Sequence, residues 1–143
     1  EALSFSDQAI VGNEEEVFFQ MQLPHSYQEG TDILVHTHFT FSTNTTQVIR
    51  WGLDYSWANV DTLIPASTAI YKNFTGTNDA AYHRFASFAA ISGAGKTVSS
   101  MLICRLFRNS SAADDTYTGN VYLIEVDMHY LTDTMGSRQE LVK

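Results

Sequence analysis

Two histidines stand one residue apart in "DILVHTHF", Asp32 to Phe39, inside a stretch that otherwise reads as a β-strand. Residues two apart on a strand share a face, so His36 and His38 point the same way, roughly 7 Å apart at ~3.3 Å of rise per residue. The segment "LIEVDMHY" offers Glu125, Asp127 and His129 with the same alternation. If the two strands lie side by side, imidazoles and carboxylates meet on one face, a donor set that suits zinc or another first-row divalent ion. A symmetric version gathers three copies of the His-x-His strand around a threefold axis and offers six nitrogens to one ion. The plainer alternative is a hydrogen-bonded polar face, open to water or packed against a sister chain. That polar face is the expectation adopted, with no metal and no cofactor; His36, His38 and His129 are the residues that would ligate if an ion were held.

Other candidate chemistry is thinner. "SGAGKTVSS" brings a phosphate loop to mind, but G-x-x-x-x-G-K-[ST] needs its first glycine at position 90, which is Ala90. A strand follows it, not the helix whose N-terminus would receive phosphate. Glu125 and Asp127 share a face, yet that spacing fits many arrangements besides a glycosidase pair. Ser, His and Asp occur in no nucleophile context. Cys104, the sole cysteine, lies in an apolar run and reads as a buried, inert thiol. Arg50, Asp54 and Arg105 read as an ion-pair network at a partly buried contact, of the kind that specifies register more than it stabilises. With His36, His38, Glu125, Asp127 and His129 they form the expected subunit-interface set. The expectation is a chain that is not an enzyme; a metal-dependent hydrolase centred on His36 is the outlying alternative.

These residues must be positioned by strands, because the dominant period is two. From Gln47, the odd positions Gln47, Ile49, Trp51, Leu53, Tyr55 and Trp57 oppose Val48, Arg50, Gly52, Asp54 and Ser56. The strand-like spacing of Trp51, Tyr55 and Trp57 suits core filling. Ile33, Val35, Phe39 and Phe41 oppose Leu34, His36, His38 and Thr40. Tyr122, Ile124, Val126, Met128 and Tyr130 oppose Leu123, Glu125, Asp127 and His129. Shorter strands are expected over Val17 to Leu23, Ser67 to Lys72 and Tyr82 to Phe88. Val98 to Phe107, apolar on both sides except for Arg105, reads as a central strand. "FASFAAIS" fits a short helix or a strand with a bulge.

Between them "PHSYQEGTD", "STNTT", "NFTGTND", "SGAGK" and "RNSSAADDTYTGN" concentrate turn-forming Gly, Asn, Asp and Ser. The expected fold is therefore all-β: an antiparallel two-sheet sandwich, jelly-roll-like, of seven or eight strands. Residues 1–16 read as an N-terminal arm ordered against a neighbour or the sandwich edge, and 17–143 as one domain.

The totals agree with one core. The chain has 143 residues, 44% hydrophobic and 17% charged, which excludes a disordered acidic segment. A net charge of −8 argues against broad binding of nucleic acid, which requires clustered Lys and Arg. No signal peptide and no apolar run near the roughly 18 residues of a membrane span is visible, so no membrane partner is expected. An opening Glu1 in place of Met leads us to expect an upstream portion.

Several stretches taken together, "LPHSYQEGTDILVHTHF", "WGLDYSWANV", "ISGAGKTVSSMLICRLFR" and "DTMGSRQELVK", resemble a group of poorly characterised structural proteins of tailed bacteriophages. The resemblance spans about Leu23 to Lys143. It implies a virion component assembled in the host bacterial cytoplasm, a homotrimer of β-rich subunits partnered by phage capsid or tail proteins. Such proteins serve as capsid decoration (cement) proteins or as tail and fibre modules; no catalytic residue is implied. Capsid decoration is the expectation. The alternative is a tail-fibre or receptor-binding module for host-surface carbohydrate, which requires Tyr71, Phe74, Tyr82 and Tyr117 to gather on one exposed surface. The polar C-terminal "TDTMGSRQELVK" would suit a tail crossing onto a neighbour.

Overall fold

Period-two alternation becomes strand wherever turn residues bound it. The computed structural model describes residues 2–7 and 14–142. Within them lie β1 (Leu3–Phe5), β2 (Glu16–Gln22), β3 (Leu34–Phe41), β4 (Val48–Ala58), β5 (Thr68–Thr75), β6 (Arg84–Ser87), β7 (Met101–Arg108) and β8 (Val121–His129). They form two four-stranded sheets ordered β1-β8-β3-β6 and β2-β7-β4-β5, with every pair antiparallel. The pairs β1–β8 and β3–β6 fall in one sheet, β2–β7 and β4–β5 in the other. This is one long hairpin rolled up so that alternate rungs lie in opposite sheets, the jelly-roll arrangement.

The core lies between the sheets. Val35, Thr37, Phe39 and Phe41 of β3 are buried, as are Ile49, Trp51, Leu53 and Trp57 of β4. Phe39 meets Trp51 and Phe74 edge-on at 5.6 and 5.1 Å between ring centroids, and Phe5 meets Trp51 at 5.2 Å. Such contacts add to the area the rings remove from water. β7 is central, between β2 and β4.

The structure departs from the sequence expectations in several places. β8 carries a bulge: His38 pairs with Glu125 but Phe39 with Leu123, so Ile124 is extra. An extra residue inverts the alternation. Val121 and Leu123 therefore point inward, Tyr122 and Ile124 do not, and the expected facing holds only from Val126 onward, where Val126 and Met128 pack on the core. The expected strand from Val98 starts instead at Met101, because Ser99 takes a φ of 61° and its N–H bonds Leu23. Ala81, at a φ of 61°, likewise delays the strand expected from Tyr82 until Arg84. "FASFAAIS" is strand followed by a bridge from Ile91 to Ile33, not helix. β5 runs on through Asn73, Phe74 and Thr75, expected as turn, and stops at Gly76, where a Cβ would lie 2.4 Å from the Thr45 carbonyl oxygen.

Both ends fold against their own chain. Of the arm expected over 1–16, Leu3–Phe5 extends the first sheet, with Phe5 buried, and Glu16 opens β2; residues 8–13 lie outside the described residues. The C-terminal segment, expected to cross to a neighbour, returns over the loop at Pro24–Gln28. Gln28 and Asp133 donate backbone hydrogen bonds to Leu131 and Ser26, and the Ser99 hydroxyl donates to the Glu140 carbonyl at 2.6 Å.

Candidate functional site

The alternation of β3 sends His36 and His38 outward because their neighbours Val35, Thr37 and Phe39 are held in the core. Register then decides what they meet. On β8, Asp127 stands opposite His36, Glu125 opposite His38, and His129 opposite Leu34. On the other side, β6 places Phe85 beside His38 and Ser87 beside His36. His83, just before β6, completes the group. Three of the chain's five histidines, His36, His38 and His129, thus surround Asp127 on the outer face of one sheet, and a fourth, His83, stands behind His38.

The distances are short. Asp127 Oδ1 lies 3.7 Å from His36 Nδ1 and 3.4 Å from His38 Nε2. The three ligand atoms lie within 4.8 Å of one another. Asp127 Oδ2 is 3.1 Å from His129 Nε2, which donates to it. His38 Nδ1 is 2.8 Å from His83 Nε2, and two imidazole nitrogens at that distance share one proton. The His36 and His129 rings stack at 4.6 Å. Oδ1 of Asp127 is enclosed yet accepts no hydrogen bond among the described residues. Such an atom calls for an explanation.

His36, His38, Asp127 and His129 are thus brought together, while Glu125, opposite His38 in register, lines the groove between β2 and β8. His83 was missed. Its only signal was the alternation of His83 with Phe85, which gains meaning once β6 is known to pair with β3.

Arg50, Asp54 and Arg105 lie on the outer face of the opposite sheet, so the expected interface set divides between two faces. Arg105 bonds Asp54 at 3.0 Å, bonds Glu16, and stands 3.6 Å from Glu14. Its guanidinium also lies 4.1 Å over the Phe107 ring. Partial burial works against the Arg105 charge, but hydrogen bonds to Glu16 and Asp54 outweigh it and hold its pKa above the usual value. Arg50 pairs with Asp114, whose carboxyl is held below the usual range, chiefly by the Asn73 amide and then by Arg50. Each of these charges has an opposite charge beside it in the same chain.

A second feature had no sequence signal. Arg108 ends β7 fully buried and grips Asp115 through two bonds, at 2.8 and 3.1 Å. It also donates to the carbonyls of Tyr117 and of Gly119, the latter at 2.7 Å. The bidentate geometry holds the 109–120 loop against the sandwich, and so holds the start of β8. Cys104 is buried as expected, and burial pushes its thiol up to about 12.

The rings required by carbohydrate recognition do not gather. Phe74 turns inward against Phe39, and Tyr117 is buried with its hydroxyl beside those of Ser42 and Thr43. Tyr71 packs beside Phe107 on one outer face, and Tyr82 lies beneath Arg84 next to the first sheet. A groove of about 490 Å³ runs instead between β2 and β8, lined mostly by Val17, Phe19, Met21, Leu123, Ile124, Val126 and Met128, with Gln20 and Glu125 also on its wall. β2 ends its sheet, and β1 pairs only with Val121–Leu123. Among the described residues, the outer edge of β8 beyond Leu123 therefore has no strand neighbour. Among the described residues, no helix is long and apolar enough to cross a membrane.

No protein-family model matches the chain, and no curated protein does. Among solved structures it is similar to the Eiger TNF from S. frugiperda, at 14% identity over 96% of each chain with a TM-score of 0.31. It is also similar to a chain of infectious bursal disease virus Gt strain, at 10% identity over 92% of this chain and 38% of that one, with a TM-score of 0.28. Neither likeness is close enough to bear on function; the jelly-roll assignment rests on the strand order.

Proposed function

We propose that this chain is a non-enzymatic structural subunit of a bacteriophage virion, which associates with two copies of itself and decorates the capsid as a cement protein. The observation that carries self-association is the groove between β2 and β8, where apolar side chains lie open between two strand edges. Unpaired edges invite further pairing, and native proteins cover them. A net charge of −8 opposes contact between identical copies wherever the surface is charged, so an apolar seam is where they can meet. The charges of Arg50, Asp54 and Arg105 already have partners in the chain and gain little from docking. The phage setting is supported by the resemblance of the stretches from Leu23 to Lys143.

The mechanism is burial without turnover: a stable contact covers on the order of 800 Å² per partner. Light scattering after gel filtration tests it. The wild-type chain is expected at three times 16.0 kDa, and Ile124→Lys, a change at an exposed position on the groove lining, at the mass of one chain with unchanged circular dichroism. Wild-type protein at single-chain mass across all concentrations would overturn the assembly. Gold labelling of virions of the encoding phage then separates shell from tail: label confined to the tail overturns the decoration role.

A further inference from the structure

We propose that His36, His38 and Asp127 form a binding site for a first-row divalent cation, with Zn²⁺ the best match. Their ligand atoms are one nitrogen from each imidazole and one carboxylate oxygen, brought together on the outer face of the sheet by the β3–β8 register. A tetrahedral ion with ligands at 2.0–2.1 Å separates them by about 3.3–3.4 Å along each edge. The observed separations from Asp127 Oδ1, 3.4 Å to His38 Nε2 and 3.7 Å to His36 Nδ1, need a shift of only a few tenths of an ångström, and the two imidazole nitrogens, which lie within 4.8 Å of each other, draw together on binding.

The remaining polar groups stand where supporting partners belong. A ligating imidazole donates its other N–H, which fixes the tautomer and aims the lone pair. His38 Nδ1 stands 2.8 Å from His83 Nε2; donation there leaves Nε2 free to face the centre. A ligating carboxylate is itself hydrogen-bonded through its second oxygen. Asp127 Oδ2 accepts from His129 Nε2, while Oδ1, the atom aimed at the two imidazoles, is enclosed and has no hydrogen bond. A cation among the three atoms satisfies that oxygen; imidazole lone pairs alone do not. His83 and His129 thus act as positioning residues.

His36 and His38 remain about one-fifth exposed, so a fourth coordination position opens to solvent. The two imidazoles and one carboxylate, with a water in that position, are a set that zinc accepts. The ion would tie β3 to β8 beside the bulge at His38/Phe39, where the ladder is interrupted. This site uses residues of one chain and does not depend on the trimer.

Calorimetric titration of the full chain, stripped by chelator and dialysed, with ZnCl₂ tests the proposal. One Zn²⁺ per chain is expected, and at 100 times its Kd a rise in melting temperature of about 8 °C. Co²⁺ in place of Zn²⁺ should give the visible absorption of a four-coordinate site. His36→Ala and His38→Ala should each weaken binding at least about 100-fold, and His83→Phe, which keeps all three ligands, by about 10–100-fold. These side chains point outward, so the metal-free variants should melt with the metal-free wild type, separating lost binding from lost folding. Wild-type affinity weaker than roughly 1 mM, or binding undiminished in the His36→Ala/His38→Ala double variant, would overturn the site.

Discussion

Arg108 is the residue whose removal should be felt most. Its charge is taken wholly out of water and returned to balance by Asp115 and the carbonyls of Phe5, Tyr117 and Gly119, so truncating either member of the ion pair strands the other. Arg108→Ala is expected to cost about 3–5 kcal/mol, whereas the paired Arg108→Met/Asp115→Leu exchange should cost much less; denaturant midpoints read both. Cys104 makes a second residue-scale prediction. Burial raises its thiol from the ordinary 9.0 to about 12, so the folded protein holds that proton after the unfolded chain has released it. The stabilisation is full below pH 9 and is lost as pH rises toward 12. Stability should therefore fall more steeply between pH 9 and 11 in the wild type than in Cys104→Ala, as urea melts at successive pH values would show. Neither Arg108 nor His83 was legible, and for one reason: each acquires its role from a partner that chain distance hides. His36 and His38 were legible because their shared direction needs only strand geometry.

At the scale of elements, alternation revealed the faces but not the places where it slips. Nothing in "NVYLIEVDMHY" marks Ile124 as extra; the bulge is settled by Leu123 and Val126 both needing the core. Deleting Ile124 forces one side of that pair outward and should cost about 3 kcal/mol from lost aliphatic burial, read as a lower thermal midpoint. β4 offers a cleaner case. Gly52 lies beneath the Phe107 ring of the neighbouring strand, and a Cβ there would come within 2.3 Å of it. Gly52→Ala should destabilise by about 1–3 kcal/mol, and adding Phe107→Ala should recover part of that loss, which a double-mutant cycle by chemical denaturation would measure. A glycine in the middle of a strand was visible in the sequence; the ring that requires it was not.

For the whole molecule, the rolled hairpin explains how distant segments become one surface. β3, β6 and β8 are separated by tens of residues and adjoin only because the rungs of the hairpin alternate between sheets. Among the described residues, that alternation also leaves the β2 and β8 edges without a further strand on one side, the basis of the proposed assembly. Raising salt screens the repulsion between chains of charge −8. The proposed trimer should therefore tighten, not loosen, between about 0.05 and 0.5 M NaCl, over which the screening length falls roughly threefold, as sedimentation at fixed protein concentration would show. By itself the sequence determined that the chain forms strands, which residues share a face, and that a sandwich results, because two-residue alternation and turn chemistry act over a few neighbouring residues. Only the tertiary structure decided that Asp127 sits among three histidines with His83 behind them, that Arg108 finds Asp115, and that Arg105 faces the opposite side. Those meetings depend on register between strands far apart in the chain, and a register is chosen by the packing of the whole core.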